Sequence, residues 1–222
     1  MSSLSNPDIE TARALLQRCL RISSATWSDA MDELGIEGVL SGLPQRSGEG
    51  RCAGFAVTVQ AEVRALGGFE LKDFGQDRMV AAAGPTEVLM VDAGGAEVSM
   101  MGGIVALSAF KRGIEAVIIN GACRDVADIR KAGLWVASRH VTPRTGKRRV
   151  HLHSFGEPIN LSGVRVRRGD LIVGDATGIV VVPRDRLDEV LAIAERVNAS
   201  DTRMEGAVAA GKTLTDAAKS VS

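Results

Sequence analysis

The chain has 222 residues, 45% of them hydrophobic, which is enough to fill one sizeable core. Lysine plus arginine equals aspartate plus glutamate at 27 each, a balance that argues against general nucleic-acid or membrane-surface binding, with the basic cluster Arg139 to Arg149 as the one local exception. Three cysteines, Cys19, Cys52 and Cys123, are an odd number without metal-ligand spacing, which argues against a disulfide framework and points to a reducing cytoplasm.

The N-terminus opens polar, with no basic-then-apolar leader, and no apolar run approaches the roughly 18 residues of a membrane helix. A soluble, single-domain protein is expected over 1–222. Its 25 glycines and 3% aromatics, with no tyrosine, favour an α/β architecture over a helical bundle.

Ser5-Asn6-Pro7-Asp8 can cap a first helix whose apolar face is Ile9, Ala12, Leu15, Leu16, Cys19 and Leu20. Ser23 to Thr26 starts a second, carrying Trp27, Ala30, Met31 and Leu34 and stopped by Gly35, so that a helix pair occupies about 8–35. After a Gly/Pro/Ser-rich loop from Gly38 to Ser47, an α/β core is expected over about 50–183. It opens with a strand in which Phe55, Val57 and Val59 alternate. Arg64 to Asp73 is ambiguous, Gln76 to Ala83 reads as a helix, and Glu87 to Asp92 as a strand ending in Ala93-Gly94-Gly95.

The stretch Gly102 to Gly133 organises the rest. Gly102 to Arg112 reads as a helix with Ile104, Ala106, Leu107 and Phe110 inward, and Ala116-Val-Ile-Ile119 as a buried strand broken by Asn120-Gly121. Asp125 reads as the cap of a helix carrying Val126, Ile129 and Ala132 and closed by Gly133, which makes a βαβ unit. Arg124 and Asp125 therefore sit at a strand-to-helix corner, where open parallel sheets bind ligands. A guanidinium there suits a carboxylate, and a carboxylate beside it suits a divalent metal.

Trp135 to Ser138 is a short strand leading into the basic run, which reads either as a solvated loop or as an anion-facing loop over the site. Val150 to Val182 is β-rich and suggests a second, partly antiparallel sheet; His151 and His153 share one face without a third metal ligand. A long helix covers about 186–210, and Leu214 to Ala218 adds a last turn.

Gly121-Ala-Cys-Arg-Asp125 resembles a motif of the family that holds the 4-hydroxy-4-methyl-2-oxoglutarate and 4-carboxy-4-hydroxy-2-oxoadipate aldolases together with the regulator of ribonuclease activity A. Thr26-Trp-Ser-Asp-Ala-Met-Asp-Glu-Leu-Gly, Val141-Thr-Pro-Arg and the block Gly169 to Pro183 extend the resemblance over most of the chain. It implies a swivelling β/β/α fold, with a central mixed sheet region and flanking helices, assembled as a homotrimer or homohexamer with the site between subunits. It also implies cleavage of a carbon-carbon bond next to a 2-oxo acid, releasing pyruvate, with oxaloacetate decarboxylation as a companion activity. Arg124 would be the catalytic, substrate-binding guanidinium, and the backbone of Gly102, Gly103, Ile104 and Val105 would hold the pyruvyl end. Asp125 would hold Mg2+ or Mn2+ largely through waters, with Asp201 of a neighbouring subunit contributing to that shell. No nucleic-acid or membrane partner is implied.

The chain departs from active members at Gly103, where an acid is usual, and at Asp201, where glutamate is usual. Glu97 is an upstream candidate to replace the first. A native preference for decarboxylation is expected, with Gly103→Glu or Gly103→Asp raising the aldol share. A Schiff-base alternative needs a dry lysine, and Lys111 and Lys131 fall on polar helix sides. A non-catalytic binding protein of the ribonuclease-regulator type is the competing function.

Overall fold

The computed structural model describes residues 6–219. Helices α1 (Asn6–Cys19) and α2 (Ser24–Asp32) are followed by the short strands β1 (Val39–Leu40) and β2 (Gln45–Ser47) and the long strand β3 (Cys52–Val63). Then come α3 (Gln76–Ala81), β4 (Glu87–Asp92), β5 (Ser99–Met101), α4 (Gly103–Lys111), β6 (Ala116–Cys123), α5 (Val126–Ala132) and β7 (Trp135–Val141). Strands β8 (Val150–Phe155), β9 (Ile159–Leu161), β10 (Val164–Val166), β11 (Leu171–Gly174) and β12 (Ile179–Val182) precede α6 (Leu187–Ala209) and α7 (Leu214–Lys219). Ser5, read as part of the first cap, lies outside the described residues. Ser23 does cap α2, its Oγ accepting from Thr26 N at 3.1 Å.

Nearly all strands join one 10-stranded mixed sheet in the order β1-β12-β11-β3-β4-β6-β7-β2, with β5 beside β6 and β8 beside β3. The expected second sheet shrinks to the β9–β10 hairpin, whose Ser162 and Gly163 both hold positive φ, the backbone a two-residue turn requires. Strands β8, β11 and β12 instead return antiparallel onto the parallel centre β3-β4-β6-β7. Strand pairing over such separations depends on which edge is open, and local patterning carries no record of that.

Alternation along β6 sends Val117, Ile119 and Cys123 into the core beneath α3, α4 and α5, and Ala116 and Ile118 to the face covered by β9 and β10. A third cluster joins α1, α2 and the first half of α6 to β11 and β12 around Trp27, Met31 and Leu191. The strand does not stop at Asn120-Gly121 as expected. It continues to Cys123 through a register shift between Ile119 and Ala122, and Gly121 lies so near Ala93 that an added Cβ would stand 2.9 Å from that methyl.

The inner face of α4 is also not the expected one. Gly103, Ala106 and Ala109 pack inward, while Ile104 is 88% exposed, Leu107 47% and Phe110 46%. An apolar run such as Ile-Val-Ala-Leu has no period to select a face; close packing on α5 selects the small residues. All three cysteines are free and buried, and burial pushes the Cys19 thiol up to about 11 and Cys52 higher still, so neither is a thiolate at neutral pH. Among the described residues no helix is long and apolar enough to cross a membrane.

Candidate active site

The parallel strands β5 and β6 end side by side, and each feeds a helix, so the N-termini of α4 and α5 meet at one corner. Two backbone hydrogen bonds fix it: Arg124 N donates to Met101 O and Thr142 N to Cys123 O, each at 3.0 Å. Asp125 occupies the position before α5 but does not cap it. Its φ of 56° and ψ of 43° are left-handed, a conformation aspartate tolerates better than most residues, whereas a capping side chain works from extended backbone. The carboxylate turns instead towards Arg124, with Oδ2 3.4 Å from Nε, and lies against Gly102.

That contact explains one glycine. A Cβ on Gly102 would overlap Asp125 Oδ2 and stand 3.1 Å from Arg124 Nε, so the Arg-Asp pair can close on α4 only over bare backbone. Both charged side chains remain accessible, at 38% and 43% exposure.

The pair opens into a cleft of about 180 Å³. Gly102, Ile104 and Val105 form one wall, and no side chain caps α4 there, which leaves the first-turn N–H groups of a nine-residue helix without a side-chain acceptor. Phe74, Gln76 and Ser99 form the floor, with Gln76 Nε2 bound to Met100 O at 2.7 Å. Thr145, Gly146 and Lys147 of the basic run also line the cleft, while Arg144 and Arg148 of the same run are exposed and do not. Arginine, aspartate and an uncapped helix start at one strand end form an environment for an oxyanion and a hard cation.

Of the residues singled out in the sequence, Gly102, Ile104, Val105, Arg124 and Asp125 line this one cleft. Gly103 stands behind it, where an added Cβ would overlap Asp128 Cβ. The expectation that Gly103→Glu or Gly103→Asp simply restores a carboxylate therefore meets a steric obstacle, since even alanine at 128 would keep the colliding atom. Asp201 is exposed on the second half of α6, whose buried residues Leu187, Val190, Leu191 and Ala194 all lie in the first half; it does not line the cleft. Glu97 lies 4.0 Å from His140 Nδ1 and does not line the cleft. His151 packs between Phe69 and His153, with ring centroids 5.5 and 5.6 Å away. All six lysines are exposed, so no lysine occupies the dry pocket that Schiff-base chemistry needs. Sequence reasoning missed Phe74, Gln76 and Ser99, which no local pattern marked.

Among the described residues no group of three or more His, Cys, Asp or Glu is gathered as a metal cage. The cleft offers one open carboxylate, Asp125. That donor set fits magnesium or manganese, since a hydrated hard cation takes one or two carboxylates plus ligand oxygens, and it does not fit a closed zinc site.

Comparison with known proteins places the chain. Over 209 residues, 94% of its length, it is 30% identical to Protein DlpA of Legionella pneumophila, of which it spans only 34%. It is 28% identical over 111 residues to the 4-hydroxy-4-methyl-2-oxoglutarate aldolase of Thermus thermophilus, matching 48% of this chain and 65% of that one. Its fold superposes on Streptomyces coelicolor RraAS2, described as an unusual member of the RNase ES inhibitor RraA protein family, with a TM-score of 0.73, 26% identity, and coverage of 82% of this chain and 91% of that chain. The RraA-like family model, described as Aldolase/RraA, matches residues 24–181, and the chain belongs to that family.

Proposed function

We propose that the protein is a divalent-metal-dependent lyase that cleaves a carbon-carbon bond of a 2-oxo acid and releases pyruvate, acting as a 4-hydroxy-2-oxo diacid aldolase, an oxaloacetate decarboxylase, or both. The observation that carries this reading is the meeting of Arg124, Asp125 and the uncapped start of α4 in one accessible cleft. Breaking the bond leaves an electron pair that moves onto the 2-oxo oxygen as an enolate. The Arg124 guanidinium is positioned to hold that oxygen or the adjoining carboxylate, offsetting charge that grows only in the transition state. The α4 N–H groups hold the other end of the pyruvyl unit and fix its orientation. Asp125 would hold the magnesium or manganese ion, which when bound supplies Lewis acidity at the same oxygen.

The reading includes a homotrimer or homohexamer. Two features support it: the outward apolar side chains Ile104, Leu107 and Phe110 along α4, whose start lines the cleft, and the exposed half of α6 that carries Asp201. A neighbouring copy that covers the first could bring the second to Asp125. Light scattering at micromolar concentration should give three or six chains, and a monomer there would remove Asp201 from the site.

A second reading, a non-catalytic binding protein of the ribonuclease-regulator type, draws on Gly103 and on the likeness to RraAS2. The two separate in one assay. Pyruvate release from oxaloacetate and from 4-hydroxy-4-methyl-2-oxoglutarate, with magnesium and after chelation, should be metal-dependent for the lyase and absent for the regulator. Decarboxylation should exceed aldol cleavage, because it needs no base to take a substrate hydroxyl proton and position 103 provides none.

A further inference from the structure

We infer that Asn120 is a positioning residue of the proposed lyase: its side-chain amide, clamped between Asp92 and Arg139, fixes the spacing between Arg124 and the start of α4. The inference rests on the reading above, in which those two groups act on one pyruvyl unit.

The two halves of the site arrive on different strands. Arg124 follows β6, whereas the N–H groups at the start of α4 follow β5. Strand β6 has β4 as its neighbour from Ala116 to Asn120, where Asp92 stands opposite Asn120, and β5 as its neighbour from Ala122, opposite Ser99, to Cys123, opposite Met101. The change of neighbour falls at Asn120-Gly121, where the register with β7 also shifts. The connection that leaves β4 for β5 is anchored at the same place, since the Asn120 carbonyl accepts from Ala93 N at 2.9 Å and from Gly95 N at 3.1 Å. Where Asn120 stands therefore decides where β5, and α4 after it, sets out.

The side chain adds a directional clamp. Asn120 Nδ2 donates to Asp92 Oδ1 at 2.8 Å, and Asn120 Oδ1 accepts from Arg139 Nε at 2.7 Å, so one amide joins β4, β6 and β7. Asp92 also accepts from Gly94 N at 3.0 Å and Gln60 Nε2 at 3.1 Å, and Arg139 reaches on to Ser162 Oγ at 2.6 Å. Asp92 and Asn120 are only 9% and 7% exposed. Among the described residues Asp92 makes no direct ion pair, and its link to the Arg139 charge runs through the Asn120 amide. A buried carboxylate costs stability that an apolar side chain would not; what it secures here is a single geometry, because each atom of the clamp has its own partner and direction. Neither Asp92, Asn120 nor Arg139 lines the cleft, so the clamp acts through the strands and not on the ligand.

The test is the kcat and KM of magnesium-dependent pyruvate release from oxaloacetate by Asn120→Ala, measured well below its melting transition. A displaced Arg124 can still hold the carboxylate of a flexible acid, whereas the enolate oxygen grows at a fixed place relative to the α4 N–H groups. KM should therefore stay within about threefold of native while kcat falls about ten- to a hundredfold. A purely structural bridge would lower the melting temperature and leave both constants native. Asp92→Asn, which keeps the size of the side chain and leaves Asn120 in place, should show the same split, with kcat falling about three- to tenfold. Native kcat in a folded Asn120→Ala, or a rise in KM with kcat unchanged, overturns the inference while leaving the lyase reading intact; if Asn120→Ala does not fold, native kcat in Asp92→Asn does so. Native protein that releases no pyruvate above the uncatalysed rate overturns that reading and the inference with it.

Discussion

Two aspartates follow the ends of strands and lie against the starts of helices, one next in the chain and one distant in it, and they are used in opposite ways. Asp175, in the β11–β12 turn, accepts from Ser24 N at 2.9 Å, Ser24 Oγ at 2.6 Å, Thr177 N at 2.8 Å and Gly178 N at 3.3 Å, tying the turn to the first residue of α2. Asp125 has no such set of donors; it sits in left-handed backbone beside one guanidinium and opens into a cleft. A carboxylate whose lone pairs are occupied by the fold stabilises the fold. One held in an uncommon conformation with its oxygens open is available to a ligand.

The largest effect that would sharpen this contrast is on turnover. Arg124→Lys keeps the charge but replaces a planar fork with a point charge, and pyruvate release should fall by roughly a hundredfold or more. Near-native turnover in that variant would end the substrate-binding role of Arg124. On the structural side, Asp175→Ala removes four accepted hydrogen bonds at once. It should cost about 2 kcal/mol and lower the melting temperature by roughly 4–8 °C, read by scanning calorimetry.

The same residue gives a pH signature. Burial raises the Asp175 pKa, but the hydrogen bonds from Ser24, Thr177 and Gly178 outweigh it and hold the carboxyl below its ordinary value. With a folded value below the unfolded one, its stabilising contribution is present above an unfolded pKa of about 3.9 and is lost as pH falls through the folded value. Acid unfolding of Asp175→Asn should accordingly be less steep below about pH 4 than that of the native protein. An identical acid slope would mean that Asp175 does not titrate with unfolding.

The smallest expected effect is at a site used by neither aspartate. Thr86 is fully buried at φ 67°, a strained backbone for a β-branched residue, and its hydroxyl has no hydrogen-bond partner. Thr86→Gly should therefore raise stability by about 1 kcal/mol, and a fall of that size in the same melting experiment would show that the threonine methyl contributes more packing than the backbone loses.

Much of the corner was legible because its signals are local. A β-branched run and a helical repeat ending in Gly133 place Arg124 and Asp125 at a strand-to-helix junction without any tertiary information, although the strand runs through Asn120-Gly121 instead of ending there. The same logic failed where local signals agree with two structures. Asp125 looked like a cap because aspartate commonly is one, whereas its backbone is left-handed and its carboxylate lies against Gly102, a contact that no local signal marks. The outward face of α4 was illegible because every candidate face is apolar, and Gly103, Ala106 and Ala109 are chosen by how near α5 comes. Phe74, Gln76 and Ser99 reach the cleft through contacts across distant segments, so nothing in their neighbours' identities marked them. The Lys147 loop was visible as charge, but its place over the cleft depends on Gly146 fitting against Phe74.

The most direct test of the contrast measures magnesium-dependent pyruvate release from oxaloacetate and the melting temperature of two variants, Asp125→Asn and Asp175→Asn, side by side. Asparagine keeps the size of aspartate and tolerates left-handed backbone, so Asp125→Asn should melt within about 1–2 °C of the native protein while losing most metal-dependent release. Asp175→Asn should melt lower and, at temperatures where it remains folded, release pyruvate at close to the native rate. Full magnesium-dependent release by Asp125→Asn would contradict the assignment of that carboxylate to a ligand.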